Sequence, residues 1–109
     1  MESQVGKLIG SPVSPGLVEG HVRVVVDPIN SELKPGEIMV CQGTDPAWTP
    51  LFLAAGGLVM EVGGMMTHGA IVAREYGIPA VVGVTQAPTR FTTGQHIRMD
   101  GSSGIIEVL

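Results

Sequence analysis

The sequence is poor in aromatic residues and in positive charge. One tyrosine, one tryptophan and two phenylalanines make up 4% of its 109 residues. Six lysines and arginines stand against ten acidic residues, which gives a net charge of −4, and they form no basic run. Such a chain lacks the cations that neutralise a nucleic-acid backbone or an anionic bilayer, and the rings that stack on bases. We therefore expect neither nucleic acid nor a membrane as a partner.

Cysteine and targeting signals are also scarce. Cys41 is the single cysteine, so an intrachain disulfide is excluded. The sequence shows no secretory leader and no apolar run long enough to cross a bilayer, which favours a reducing, cytoplasmic setting. Because Cys41 ends the apolar run at residues 38–40, we expect a small buried side chain and not a reactive thiol.

What the chain does contain predicts one compact domain of mixed α/β class over residues 1–109, with residues 1–7 as a loose N-terminal linker. The 16 glycines and 8 prolines favour short elements joined by tight turns. We predict two short helices and about six strands, with one pair of strands linked across a helix. The predicted strands are residues 17–27, 37–42, 58–62, 78–84 (buried on both faces), 96–100 and 105–108, the last two forming a hairpin. The first helix is predicted at residues 51–55, and residues 86–94 are predicted to be a loop.

The second predicted helix places a histidine at its start. Thr67 is suited to the N-cap, and Gly77 followed by Pro79 is a typical stop. The amides of the first turn and the positive end of the helix dipole form a natural seat for an anion such as phosphate. The same positive end favours the neutral ring of His68, which can act as a nucleophile toward a phosphoryl group. The alternative is that His68 is an ordinary cap or a satisfied polar group.

Several other residues have both a functional and a structural interpretation. Gly69 permits close approach of a ligand or of another chain. Arg74, the first cation after Lys34, either reaches an incoming phosphate or forms a surface ion pair. Glu61 either orients His68 or is a polar position on a half-buried strand. For three further residues we favour the structural interpretation, although each has a functional alternative: Asp45 as a turn cap, Trp48 in the core and His21 at the surface. His96 is expected to be exposed.

The sequence shows no metal site. Its three histidines are far apart and no carboxylates stand at ligand spacing, while Gly63 and Gly64 are not followed by the lysine and hydroxyl residue of a nucleotide-binding P-loop. We therefore expect no cofactor to be bound tightly by this chain alone.

Several motifs in order resemble the mobile phosphohistidine domain of phosphoenolpyruvate-utilising enzymes. The two longest are TDPAWTPLF at residues 44–52 and VGGMMTHGAIVAREYGIPAVVG at residues 62–83. Shorter matches are SPG at residues 14–16, GHVRV at 20–24, LKPGEI at 33–38, DG at 100–101 and Gly104. The resemblance covers nearly the whole chain and includes the phosphoenolpyruvate synthase, pyruvate phosphate dikinase and rifampin phosphotransferase families, the last being closest.

The resemblance implies a swivelling β/β/α fold and a phosphoryl carrier. His68 would take a phosphoryl group from ATP or phosphoenolpyruvate on one partner domain and deliver it to pyruvate, phosphate, water or a drug-like hydroxyl on another. Gly64, Thr67, Gly69, Ala70 and Arg74 would bind or support that group. Mg²⁺ and ATP would be held by an ATP-grasp partner domain, present in the same or in a separate chain together with the acceptor domain, so this chain alone would be an incomplete phosphotransferase.

The chain departs from the family pattern at one position near the histidine. Synthases and dikinases usually carry a regulatory threonine two residues before it, where this chain has Met66. Two other interpretations stay open beside the carrier: a binding or regulatory module that keeps the fold without transferring phosphate, and a structural spacer.

Overall fold

The computed structural model describes residues 7–27, 32–44, 46–52, 54–63 and 67–109. Its strands in these residues are Lys7–Ile9 (β1), Ser11–Ser14 (β2), Leu17–Val24 (β3), Ile38–Cys41 (β4), Gly57–Met60 (β5), Ala80–Val82 (β6), His96–Asp100 (β7) and Ile105–Val108 (β8). Its helices there are a 3-10 helix at Pro46–Trp48 and the α-helices Thr49–Phe52 (α1), His68–Tyr76 (α2) and Ala87–Arg90 (α3). The predicted mixed α/β class is confirmed.

The strands form a mixed sheet in the order β1-β8-β7-β3-β4-β5-β6-β2. The long strand β3 joins its two halves, because residues 17–21 pair antiparallel with β7 while residues 22–24 pair parallel with β4. β5 and β6 continue the parallel half, and β2 closes its edge antiparallel to β6. The connection from β5 through α2 to β6 is the predicted pair of strands linked across a helix.

The parallel strands form a middle layer between the helices α1 and α2 on one side and the β7-β8 hairpin on the other, and a hydrophobic cluster fills each interface. One lies between the parallel strands and the helices α1 and α2, where Met60 packs with Phe52 and Ala70. The other lies between the parallel strands and the β7-β8 hairpin, and it includes Ala87 of α3. β4, β5 and β6 are buried at every position, as parallel strands covered on both faces must be. The doubly buried strand predicted within residues 78–84 is thereby confirmed over Ala80–Val82.

Two strands and one α-helix were not predicted from the sequence. Lys7, assigned to the loose linker, is the first residue of β1 and pairs with Glu107, whereas residues 1–6 lie outside the described part. β2 contains Pro12, which an edge strand tolerates because an outward amide has no ladder partner to lose. α3 lies within the predicted loop and carries a proline in its first turn, where helices accept it.

Several predicted boundaries were wrong by one to three residues. The helix predicted at residues 51–55 begins at Thr49, because the 3-10 helix leads directly into it, and it ends at Phe52. β3 ends at Val24 and β5 at Met60, so the residues that follow both strands lie at the edge of the sheet. Among the described residues, no helix is long and apolar enough to span a bilayer.

Candidate functional site

The amino end of α2 lies at the edge where the parallel strands end. Because α2 returns the chain from the carboxyl end of β5 to the amino end of β6, it starts beside the end of β5. Thr67 is the N-cap with extended backbone, as predicted, but its hydroxyl does not make the capping hydrogen bond expected of a threonine there. At the other end the helix stops at Gly77, as predicted; Gly77 has the left-handed conformation, and its amide donates to the carbonyls of Ala73 and Arg74.

His68 is the first residue of α2, and its ring is half-buried. The ring atom Nδ1 lies 3.2 Å from Oγ1 of Thr44. The ring of Phe52 lies 6.0 Å away between centroids and is tilted by 53°. Within the described residues, Nε2 has no hydrogen-bond partner. The imidazole is therefore held on its Nδ1 side.

Thr44 was missed by the sequence analysis, although it begins the motif at residues 44–52. It follows β4, 24 residues before His68, and the two meet because the ends of β4 and β5 lie side by side. Its Oγ1 also lies 4.0 Å from Sδ of Met60, in a geometry in which the hydroxyl donates to sulfur. Since a hydroxyl has one proton, an oxygen that donates it to Met60 can only accept from His68, and one that donates it to His68 leaves Met60 without a donor.

Gly69 makes room for this arrangement. A Cβ at Gly69 would lie 2.6 Å from Cε of Met60 and 2.8 Å from Oγ1 of Thr44. Both distances are too short for carbon, so the absence of a side chain allows α2 to start against the Thr44 hydroxyl. Close packing thus explains why position 69 has a glycine. The predicted contact of Gly69 with a phosphoryl group stays a prediction.

The other predicted site residues are distributed along α2 and before it. Ala70 is buried in the first turn, while Gly64 lies outside the described residues. The amide of Ile71 makes the first hydrogen bond of the helix, to Thr67, so the amides of residues 68–70 precede the helical ladder. Arg74 lies in the last turn, and its Nη1 donates to the carbonyl of Val13 at 3.0 Å, which holds β2 against α2.

The structure distinguishes between the two interpretations offered for Glu61 and for Trp48. Glu61 follows β5 and, among the described residues, makes no hydrogen bond to His68, so the orienting contact comes from Thr44. Trp48 is 7% exposed and packs in the core, as the structural interpretation predicted. Asp45 lies outside the described residues.

The other two histidines lie away from His68, on the outer face of the antiparallel strands. His21 of β3 and His96 of β7 are cross-strand neighbours whose rings stack at 4.9 Å. Nε2 of His96 also lies 3.3 Å from a carboxylate oxygen of Glu19. The described residues contain no group of three metal-ligating side chains.

Cys41 is buried at the end of β4, as predicted, and burial raises the pKa of its thiol to about 12. A thiol with this pKa is protonated at neutral pH and is a poor nucleophile. Among the predicted site residues that the structure describes, the imidazole of His68 stays the candidate nucleophile.

A family model described as "PEP-utilising enzyme, mobile domain" matches residues 33–104 of this chain. This range includes both Thr44 and His68. The chain belongs to the mobile-domain family of PEP-utilising enzymes. The resemblance found in its motifs is thereby confirmed.

Relatives of this mobile domain are much longer proteins. A rifampicin phosphotransferase of Streptomyces sviceus is 59% identical over 104 residues, which are 95% of this chain and 12% of the relative. A rifampicin phosphotransferase of Bacillus subtilis is 52% identical over 103 residues, again 12% of its length. An NMR structure of an Enzyme I (nEIt) protein superposes with a TM-score of 0.61 at 31% identity, and covers 72% of this chain and 32% of that one. The mobile domain thus spans about an eighth of the length of these two phosphotransferases.

Proposed function

We propose that this mobile domain is a phosphoryl carrier in which Nε2 of His68 accepts and releases the phosphoryl group. The observation that carries the proposal is the 3.2 Å contact between Nδ1 and Thr44. If the hydroxyl donates toward Met60, it accepts the proton on Nδ1, and the lone pair then lies on Nε2. A nucleophile is needed on the ring atom that is not hydrogen-bonded, and this tautomer supplies it.

The surroundings of the ring support an anionic product. The positive end of α2, a helix of nine residues, begins at His68 itself. Amides at a helix start bind phosphate oxygens, and the helix dipole favours negative charge by about 0.3–1 kcal/mol. We predicted Gly64, Thr67, Gly69, Ala70 and Arg74 as supporting residues. Of these, Gly69 and Ala70 directly follow His68 in the first turn of α2, and we assign their backbone amides to the binding of phosphate oxygens.

The transfer is balanced as two substitutions at phosphorus. In the first, the Nε2 lone pair forms the N–P bond while the P–O bond of ATP or phosphoenolpyruvate breaks, and the leaving oxygen keeps the bonding electrons. The Nδ1 proton stays with the ring, next to Thr44, and partly offsets the charge of the phosphorylated imidazole. In the second, an acceptor oxygen attacks phosphorus and loses its proton, and the N–P bond breaks to regenerate neutral His68.

The remaining parts of the reaction belong to partner domains in this proposal. Mg²⁺ and nucleotide would be held on an ATP-grasp domain, and the acceptor on a separate domain, in the same or in another chain. The names of the two relatives favour rifampicin as the acceptor over pyruvate, phosphate or water. The domain alone would therefore hold the phosphoryl group without completing a catalytic cycle.

The test is the intact mass of the chain after incubation with Mg²⁺, ATP or phosphoenolpyruvate, and the intact Streptomyces sviceus relative as donor enzyme. We expect one phosphoryl group that is lost in acid and kept in alkali. His68→Ala should take no label, whereas His21→Ala and His96→Ala should be labelled like the wild type. A wild-type chain that stays unlabelled while the relative labels its own mobile domain would favour the non-catalytic module and overturn the carrier.

A further inference from the structure

A groove runs along the edge of the sheet where the parallel strands end. Its volume is about 590 Å³, and its walls come from the residues that follow all four parallel strands. Open α/β sheets bind their ligands outside the carboxyl ends of their strands, which is where this groove lies. His68 is not among its lining residues, but Thr44 is. Thr44 therefore lies between the groove and the imidazole that it holds.

The floor of the groove is fixed by backbone hydrogen bonds. The amide of Glu61 donates to the carbonyl of Cys41 at 3.0 Å, and the amide of Val62 donates to the carbonyl of Gln42 at 2.9 Å. These two bonds extend the pairing of β4 and β5 beyond the ends of both strands. A preformed surface binds with less loss of conformational entropy than a mobile loop does.

The described residues that line the groove include exposed valines, side-chain amides and one acid. Val26 is 83% exposed and Val62 is 52% exposed, although large aliphatic side chains are usually covered. Gln42 and Gln86 provide side-chain amides, and Glu61 is the one charged side chain among the described residues of the lining, none of which is a cation. A phosphate-bearing ligand would therefore find no counter-charge among these residues, whereas a lysine or arginine would find Glu61.

Gln86 adds a second indication that the groove is used. It has a φ of 57°, in the left-handed region, which residues with a Cβ adopt only at an energetic cost. Glycine would adopt this conformation without the cost but would bring no amide to the groove. Strained residues of this kind are concentrated at binding sites.

We propose that this groove docks an extended segment of a partner domain, one that covers Val26 and Val62 with apolar side chains and places a lysine or arginine beside Glu61. The proposal rests on the proposed function, because a donor or acceptor domain must settle next to His68 to exchange the phosphoryl group. Charge complementarity to Glu61 selects a basic segment, and side-chain amides at Gln42 and Gln86 suit the peptide groups of an extended chain. A partner seated against Thr44 would lie one residue from the reacting ring.

The test is a titration of the ¹⁵N-labelled chain with the intact Streptomyces sviceus relative, followed through the amide signals and repeated for Glu61→Lys. We expect the largest changes at Val26, Gln42 and Val62, and a dissociation constant at least tenfold higher for the charge reversal. Glu75→Lys is the matched control, because it makes the same charge change on the exposed surface of α2, outside the groove; its affinity should stay within twofold of the wild type.

The docking site would be overturned if the amide signals of Gln42 and Val62 did not change on addition of the relative. It would also be overturned if Glu61→Lys and Glu75→Lys bound the relative with equal affinity. If the same amide signals changed when the chain alone was concentrated, the groove would bind a second copy of this chain, and the proposed docking of a partner domain would be wrong. Labelling of His68, measured on the same samples, separates the two proposals. Binding in the groove without label would contradict the carrier alone, and label with binding elsewhere would contradict the groove alone.

Discussion

At the scale of single residues, the proposed carrier depends on the contact between Thr44 and His68. Either the hydroxyl donates to Nδ1, which leaves the proton on Nε2, or Nδ1 donates to the hydroxyl, which leaves Nε2 as the nucleophile. The sulfur of Met60 lies 4.0 Å from the same oxygen and favours the second arrangement. In the proposed carrier, the tautomer of His68 thus depends on Thr44, which follows β4 and not the strand that leads into α2.

Thr44→Val should lower the fraction of the Nδ1–H tautomer and slow phosphoryl labelling of His68. Valine keeps the shape of threonine but cannot accept the Nδ1 proton, and a hydrogen bond of about 1 kcal/mol corresponds to about a fivefold change in rate. The measurement is the pair of imidazole ¹⁵N chemical shifts, which distinguish the protonated from the unprotonated ring nitrogen, together with the labelling rate.

Thr92→Val is the control for this change, because Thr92 is exposed and lies far along the chain in the turn before β7. It should alter neither the ¹⁵N shifts of His68 nor its labelling rate. Wild-type shifts that place the proton on Nε2 would contradict the proposed nucleophile directly.

The start of α2 explains the site at the scale of secondary structure. The helix begins at the carboxyl edge of the sheet, so its first turn is packed against the end of β5 and the residues after β4. Gly69 is the contact point, since its Cα faces Met60 and Thr44. The site therefore depends on the absence of a side chain as much as on the imidazole.

Gly69→Ala should destabilise the fold by about 1–3 kcal/mol, as overpacked cores do. In an ordinary helix the same change stabilises by about 0.5–1 kcal/mol, so the expected sign is reversed here. Urea unfolding gives the free energy, and Glu75→Ala, on the exposed face of α2, should change it by less than about 0.5 kcal/mol. A Gly69→Ala chain more stable than the wild type would show that the first turn is not packed as described.

Sequence reasoning predicted the elements whose signals are local. The helix bearing His68 was found from its two ends, and the buried strand within residues 78–84 from its continuous apolar run. β1 and β2 were not predicted, because three- and four-residue strands are defined by the partners that they pair with, β8 and β6. Thr44 was missed for the same reason: nothing in its own neighbourhood indicates a contact 24 residues ahead.

At the scale of the whole molecule, β3 is the strand that connects the two halves of the sheet. Arg23 near the end of β3 is paired with Glu37, the residue before β4. Its Nε and Nη2 donate to the two carboxylate oxygens of Glu37 at 3.1 and 3.2 Å. The amide of Lys34 donates to the same carboxylate at 2.8 Å. Burial opposes ionisation of Glu37, but these hydrogen bonds and the charge of Arg23 outweigh it, and the pKa of Glu37 is lowered.

Glu37→Gln should cost about 1.5–3 kcal/mol of unfolding free energy at pH 7, the contribution of a hydrogen bond to a charged group. Because the folded pKa is below its ordinary value, this stability is present above pH 4.5 and is lost as the pH falls through the folded pKa. Urea unfolding from pH 7 to pH 3 should therefore show the wild type and the variant converging in acid.

The exposed Glu75→Gln provides the baseline for this pH series and should follow the wild type throughout. A difference between wild type and Glu37→Gln that stays constant down to pH 3 would mean that the charge of Glu37 does not stabilise the fold.

The central claim is tested most directly by the position of phosphorus on the ring. The chain is labelled with ¹⁵N in its histidines and phosphorylated by the intact Streptomyces sviceus relative, and the ³¹P–¹⁵N coupling is then measured in alkaline solution. We predict a single coupling, to Nε2 of His68, with the Nδ1 proton retained. A coupling to Nδ1 of His68, or to His21 or His96, would contradict the account.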